Sequence, residues 1–159
     1  MDRTYSADGT TIAFDRSGQG PALILVMGAF CDRSSTTSLA SALASRFTVY
    51  EYDRRGRGDS GDTAPYSTRR EVEDLSAIVD AAGGSAYAFG HSSGAAVALE
   101  AAASGVALLG VAAYEPPYTP GPSSQFADRL EALASSGREG DAAEAFIALT
   151  GTPPRSWSR

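Results

Sequence analysis

The run Ala22-Leu23-Ile24-Leu25-Val26-Met27 constrains the fold of this chain more than any other segment. A strand with one face in water alternates apolar and polar residues. An unbroken apolar run this short reads as a strand buried on both faces. Such strands belong to parallel sheets, and parallel neighbours need long crossovers, usually helical. The rest of the chain supplies them. Phe47 to Tyr52 is β-branched and aromatic and reads as the next strand. Between the two, Ser34 to Ser45 carries Leu39 and Leu43 at helical spacing. Thr68-Arg69-Arg70-Glu71 matches a capping box and opens a predicted helix to about Ala82. Val72, Leu75, Ile78 and Val79 fall on one face of it, and Gly83-Gly84 ends it. Ala86 to Phe89 is a short strand, Ser93 to about Ala103 an alanine-rich helix, and Leu108 to Tyr114 a further strand closed by Glu115-Pro116-Pro117. Ahead of all this, Arg3 to Ser6 and Thr11 to Asp15 flank the turn pair Asp8-Gly9 as a hairpin. The alternation predicts an α/β fold: a mostly parallel sheet of about six strands flanked by helices, in three layers α/β/α.

With 159 residues the chain has room for one domain with a real core. The pattern changes near residue 118. Residues 1–118 read as the α/β core, and 119–159 as a small helical hairpin with an irregular tail from Gly151 to Arg159. In the hairpin, Phe126, Leu130 and Leu133 share one helical face, and Ala142, Phe146 and Leu149 share another. The formal net charge is −6, with no basic stripe, which removes nucleic acid as an expected partner. All 13 basic residues are arginine, a bias that points to a GC-rich bacterial genome. Cys31 is the only cysteine, so neither an internal disulfide nor a cysteine-based zinc site can form. A small buried thiol is the expected role for it. No apolar leader follows Met1, and the longest strongly apolar run, Pro21 to Met27, is too short to span a bilayer. The cytoplasm is the expected location by elimination, with no membrane partner, cofactor or metal.

Gly90-His91-Ser92-Ser93-Gly94 matches G-x-S-x-G, and it falls between a predicted strand and a predicted helix. A serine on so sharp a turn needs small neighbours, because the backbone is crowded. Gly90 and Gly94 are those neighbours. The helix start also points backbone N–H groups towards the place where a reacting oxygen would sit. Gly28, directly after the first buried strand, lets the chain bend so that the N–H of Ala29 faces the same place, with the N–H of Ser93 as a second donor.

Together these residues resemble the α/β-hydrolase fold superfamily, of the single-domain bacterial serine hydrolase type. Asp53-Arg54-Arg55-Gly56-Arg57-Gly58-Asp59-Ser60 looks like its D-x-R-G-x-G-x-S loop, and Tyr114-Glu115-Pro116-Pro117 like its ending of the strand after the elbow helix. The resemblance implies that Ser92 is the nucleophile and that Ala29 and Ser93 form the oxyanion hole. It gives Asp53 and Arg55 a structural role at a glycine turn beside the site. It makes the hairpin from 121 to 150 the start of a helical cap. A serine nucleophile fits ester or related acyl chemistry on a small-molecule substrate. Met27 departs from the family, which often has a histidine there.

The order of the triad on this fold is serine, acid, histidine. The only histidine is His91, which precedes the serine and reads as a packing residue. Without a base, a serine hydroxyl is a poor nucleophile at neutral pH. Glu115 stands where some members of the fold carry the acid, although a structural role before Pro116-Pro117 is the stronger reading. Two expectations follow. One is a serine hydrolase truncated at its C-terminus by about a hundred residues. The other is a non-catalytic fragment or pseudoenzyme that binds a ligand or another protein. Either way, a sheet that stops at Leu108 to Tyr114 would leave an edge free for self-association.

Overall fold

The computed structural model describes residues 1–118 and 123–149. The strands are β1 (Asp2–Tyr5), β2 (Thr11–Gly18), β3 (Ala22–Val26), β4 (Thr48–Tyr52), β5 (Ala86–His91) and β6 (Leu108–Tyr114). They form one sheet in the order β1-β2-β4-β3-β5-β6. The pairings of β2 with β1 and β4 are antiparallel, and those joining β4, β3, β5 and β6 are parallel. The helices are α1 (Thr37–Leu43), α2 (Thr68–Ala81), α3 (Ser93–Ala103), α4 (Ser124–Ser135) and α5 (Glu139–Leu149).

The apolar run is explained by what covers it. Ile24 and Val26 pack into a cluster with Val72, Leu75, Ile78 and Val79 of α2 and Val97, Ala98 and Ala101 of α3. Leu23 and Leu25 point to the opposite face, where they meet Ala40 of α1 and Val49. Alternate residues of one strand thus fill two cores, which is the three-layer arrangement. Fully burying a side chain of this kind contributes about 1.5–3 kcal/mol.

Three local details differ from the sequence pattern. The predicted helix from Ser34 is split into a 3-10 turn, Arg33–Thr36, and α1. Asp32 caps the turn by accepting from the N–H of Ser34. The capping box at Thr68 does not form. Ser67 is the cap and accepts from the N–H of Arg70, while Glu71 turns inward and is buried. A buried partner outcompetes the local cap for that carboxylate. In α5, Leu149 is exposed, so the stripe expected with Ala142 and Phe146 stops short of it.

The sheet is covered unevenly. Among the described residues β6 pairs only with β5, and its outer edge is open. Leu109 is 59% exposed. On the α1 side, Leu23, Phe47, Tyr87, Gly110 and Ala112 line an open groove of about 540 Å³.

Residue contacts divide the chain into two units, with the second beginning at Tyr118. In that unit α4 is capped by Ser123, which accepts from the N–H of Phe126, and α4 packs on α5. Phe126, Leu130 and Leu133 are half-buried. The breaker at 121–122 and the tail from Gly151 lie outside the described residues. No helix among the described residues is long and apolar enough to cross a membrane.

Candidate active site

β5 ends at His91 and α3 begins at Ser93, which leaves Ser92 alone to turn the chain. Ser92 has φ 53° and ψ −126°. A side chain at positive φ costs about 1–3 kcal/mol and persists only where its surroundings fix it. Here the surroundings hold it from both sides. The N–H of Ser92 donates to the carbonyl of Tyr114 on β6 (2.9 Å), and its own carbonyl accepts from Ala95 (2.9 Å) and Ala96 (3.3 Å) of α3.

The flanking glycines are required by close approach. A Cβ on Gly90 would enter the backbone of Ala95, and one on Gly94 the carbonyls of Val26 and Met27. The elbow therefore sits directly against the end of β3. The turn after β3 touches it as well. A Cβ on Gly28 would stand 3.0 Å from Cβ of Ser92 and 3.4 Å from Nδ1 of His91. The N–H groups of Ala29 and Ser93, the two candidate oxyanion donors, donate to no group among the described residues.

The loop after β4 braces this junction with arginines that local spacing did not single out. Arg54 is buried. Its Nε donates to Glu71 (2.7 Å), Nη2 donates to the other Glu71 oxygen, and Nη1 donates to the carbonyl of Met27 (2.9 Å) and to Oγ of Ser93 (3.0 Å). Burial pulls its pKa down, the Glu71 carboxylate outweighs that, and the net direction is up. Tyr66 donates its hydroxyl to Glu71 (3.1 Å). Burial raises the pKa of that phenol, and the Glu71 charge adds to the rise. One buried ion pair thus touches the carbonyl that precedes Gly28 and the side chain of Ser93.

Asp53 is fully buried and ties the glycine turn. It accepts from the N–H groups of Arg33 (2.8 Å) and Asp59 (2.9 Å) and pairs with the guanidinium of Arg33. Arg33 was missed by the sequence reading. It also pairs with Asp15 (2.8 Å) and Asp59 (2.6 Å). Arg55 reaches elsewhere: it grips Asp74 of α2 through two nitrogens at 2.7 Å and Asp8 of the hairpin turn at 3.0 Å. It anchors the loop to α2 and the β1–β2 turn. Arg57 differs from all three. Its Nη1 donates to the carbonyl of Gly28 (2.8 Å), and no carboxylate pairs with it among the described residues. Burial lowers its pKa, and the neighbouring charge of Arg54 lowers it further. Arg57 lines a cavity of about 440 Å³ with Ala29, Phe30, Cys31, Asp32, Gly56 and Gly58.

None of the remaining candidates hydrogen-bonds the hydroxyl of Ser92 among the described residues. The ring of His91 stacks on Tyr114, with centroids 5.7 Å apart, and its Nδ1 is buried with no hydrogen-bond partner among the described residues. Glu115 is exposed at φ 51°, and its side chain makes no hydrogen bond among the described residues. Cys31 is half-buried rather than buried. No group of three or more His, Cys, Asp or Glu among the described residues is placed to hold a metal ion.

Comparison with known proteins places this geometry. Residues 23–159 match the model of the alpha/beta hydrolase family. The crystal structure of an alpha/beta hydrolase from Sphaerobacter thermophilus superposes with a TM-score of 0.91 at 51% identity, covering 96% of this chain and 62% of that one. A thermophilic esterase from Thermogutta terrifontis gives 0.76 at 25% identity, covering 94% and 57%. N-formylmaleamate deformylase of Pseudomonas putida is 34% identical over an alignment of 143 residues that covers 82% of this chain and 53% of that protein. The chain thus spans about half the length of that curated relative.

Proposed function

The chain belongs to the alpha/beta hydrolase family, and we propose that it carries the nucleophile and oxyanion half of a serine hydrolase acting on ester or related acyl bonds of small molecules. The observation that carries this is the conformation of Ser92. A non-glycine residue at φ 53°, pinned by β6 and α3 and abutted by Gly28, is an expensive way to build a turn. The close approach of Gly28 to Ser92 and the unengaged N–H groups of Ala29 and Ser93 support an oxyanion hole there. In the reaction, Oγ of Ser92 attacks the substrate carbonyl carbon, and the carbonyl oxygen takes the negative charge. The N–H groups of Ala29 and Ser93 stabilise it, each such donor being worth roughly 10²–10³ in rate. The serine proton passes to a base, the leaving group departs protonated, and water then releases the acyl group. That one relative is an N-formylmaleamate deformylase and a structural neighbour an esterase supports this bond class.

No histidine follows Ser92 in these 159 residues, so the base is the unmet requirement. That observation favours a second reading, a ligand-binding or interaction protein that keeps the pocket without the chemistry. As part of the same proposal, the helices after residue 118 begin a cap, and the open β6 edge allows self-association. A fluorophosphonate probe with added imidazole tests the main reading. We expect covalent labelling at Ser92, accelerated by imidazole and abolished in Ser92→Ala. A folded protein that stays unlabelled at Ser92 under these conditions would establish the second reading.

A further inference from the structure

Four arginines crowd the carboxyl ends of β3 and β4, and three of them are neutralised. Arg33 holds Asp15, Asp53 and Asp59; Arg54 holds Glu71; Arg55 holds Asp74 and Asp8. Arg57 has one carbonyl, that of Gly28, and no carboxylate among the described residues. A half-buried guanidinium carries five N–H donors, and leaving it without a counter-charge is unfavourable. The chain spends acidic residues freely on its neighbours and none on this one. The nearest acid lining the same cavity, Asp32, is engaged by the N–H and hydroxyl of Ser34 and the hydroxyl of Ser35.

The position of Arg57 gives the exception a use. The carbonyl it touches belongs to Gly28, and the next residue, Ala29, offers the candidate oxyanion N–H. Arg57 and Ala29 line one cavity of about 440 Å³. We propose that Arg57 is a specificity residue that binds a carboxylate on the substrate, so that the site takes acyl compounds carrying a free acid close to the scissile carbonyl, such as monoesters or monoamides of short dicarboxylic acids. The planar fork of arginine matches a carboxylate in two parallel hydrogen bonds. Gly28, whose carbonyl Arg57 holds, abuts Ser92, so a substrate carboxylate fixed by Arg57 sets the rest of the substrate beside the elbow. This rests on the serine hydrolase reading for the reaction, but not for the binding.

The test separates the two. The full 159-residue chain is titrated with succinate and with the isosteric neutral succinamide, and amide shifts are followed by NMR. We expect succinate to shift Gly28, Ala29 and Gly58 saturably and to bind at least ten-fold tighter than succinamide. Ser92→Ala should keep that preference, Arg57→Gln should lose it, and Arg57→Lys should fall between. Equal binding of the two probes by the unaltered chain overturns the proposal, whatever the variants do. So does succinate binding that maps to the Arg33 cluster instead. Fluorophosphonate labelling runs in parallel: a succinate preference without labelling leaves the anion site standing and sinks the hydrolase reading, and labelling without the preference does the reverse.

Discussion

Removing Glu71 should cost this fold more than its exposed counterparts would. Arg54 is 4% exposed and Glu71 1%, so their attraction operates away from water. Breaking a buried pair from one side costs about 3–5 kcal/mol, because the surviving charge stays buried. After Glu71→Ala the guanidinium keeps two neutral acceptors, the Met27 carbonyl and Oγ of Ser93, so the lower end of that range, about 3 kcal/mol, is expected. Domains of this kind have about 5–15 kcal/mol in all. With a urea slope of about 1–3 kcal/mol/M, the midpoint should fall by about 1–3 M. Replacing both partners, Arg54→Met with Glu71→Leu, removes the charge that the single variant strands and should recover most of the loss. Urea unfolding followed by circular dichroism measures all three proteins. A single variant within about 1 kcal/mol of the original, or a double variant less stable than the single one, would refute the idea that desolvated charge governs this junction.

Gly94→Ala forces a Cβ into the Val26 and Met27 carbonyls, where backbone cannot yield, and should destabilise by about 3 kcal/mol or more; Gly140→Ala in α5, with open space around it, should be neutral or gain up to about 1 kcal/mol in the same melts. Asp32 is held below the usual carboxylate range, first by the hydroxyl of Ser34, against burial, and then by the N–H groups of Ser34 and Ser35. Its folded pKa lies below the unfolded one, so its contribution is present above the ordinary aspartate value and is lost as pH falls through the folded value. Acid unfolding should therefore be shallower in Asp32→Asn, and a superimposable curve would exclude the effect. Leu109→Lys places a charge on the open β6 strand and should reduce concentration-dependent association in sedimentation; an unaltered chain that stays monomeric at every concentration would contradict the edge proposal.

Local pattern carried the strands and helices because each has one dominant signal. The run from Ala22 to Met27 announced burial on both faces, and Ile24 and Leu25 duly enter different cores. The G-x-S-x-G motif placed Ser92 at a strand–helix junction, and that junction is where its positive φ occurs. The bracing of the site was not legible in this way. Arg54 and Glu71 are separated by a loop and a helix start, and nothing in their spacing pairs them. Glu71 even satisfied a competing local pattern, the capping box, that tertiary contact overrode. No local pattern marks Arg33 or Arg57. What distinguishes them is burial and which carboxylates they meet, and both are decided by how the β3 and β4 ends come together.

That meeting point follows from chain topology. From β3 the chain runs through α1 on one face to β4, and from β4 it returns through α2 on the other face, past β3, to β5. Crossovers that keep one hand while moving in opposite directions along a sheet must use opposite faces. The chain paths diverge between β3 and β5, and a crevice is left at the carboxyl ends of those strands. Ala29 lies just after β3 and Ser92 and Ser93 just after β5, one on each side of that crevice, while β4 sends Arg54 and Arg57 in from the flank. Each candidate donor is marked by its own segment, but only the strand order brings the two segments together. Gly28 and Gly94 let the two sides close to contact distance, so filling Gly94 should separate Ala29 from Ser93 and disturb both candidate donors together rather than one at a time.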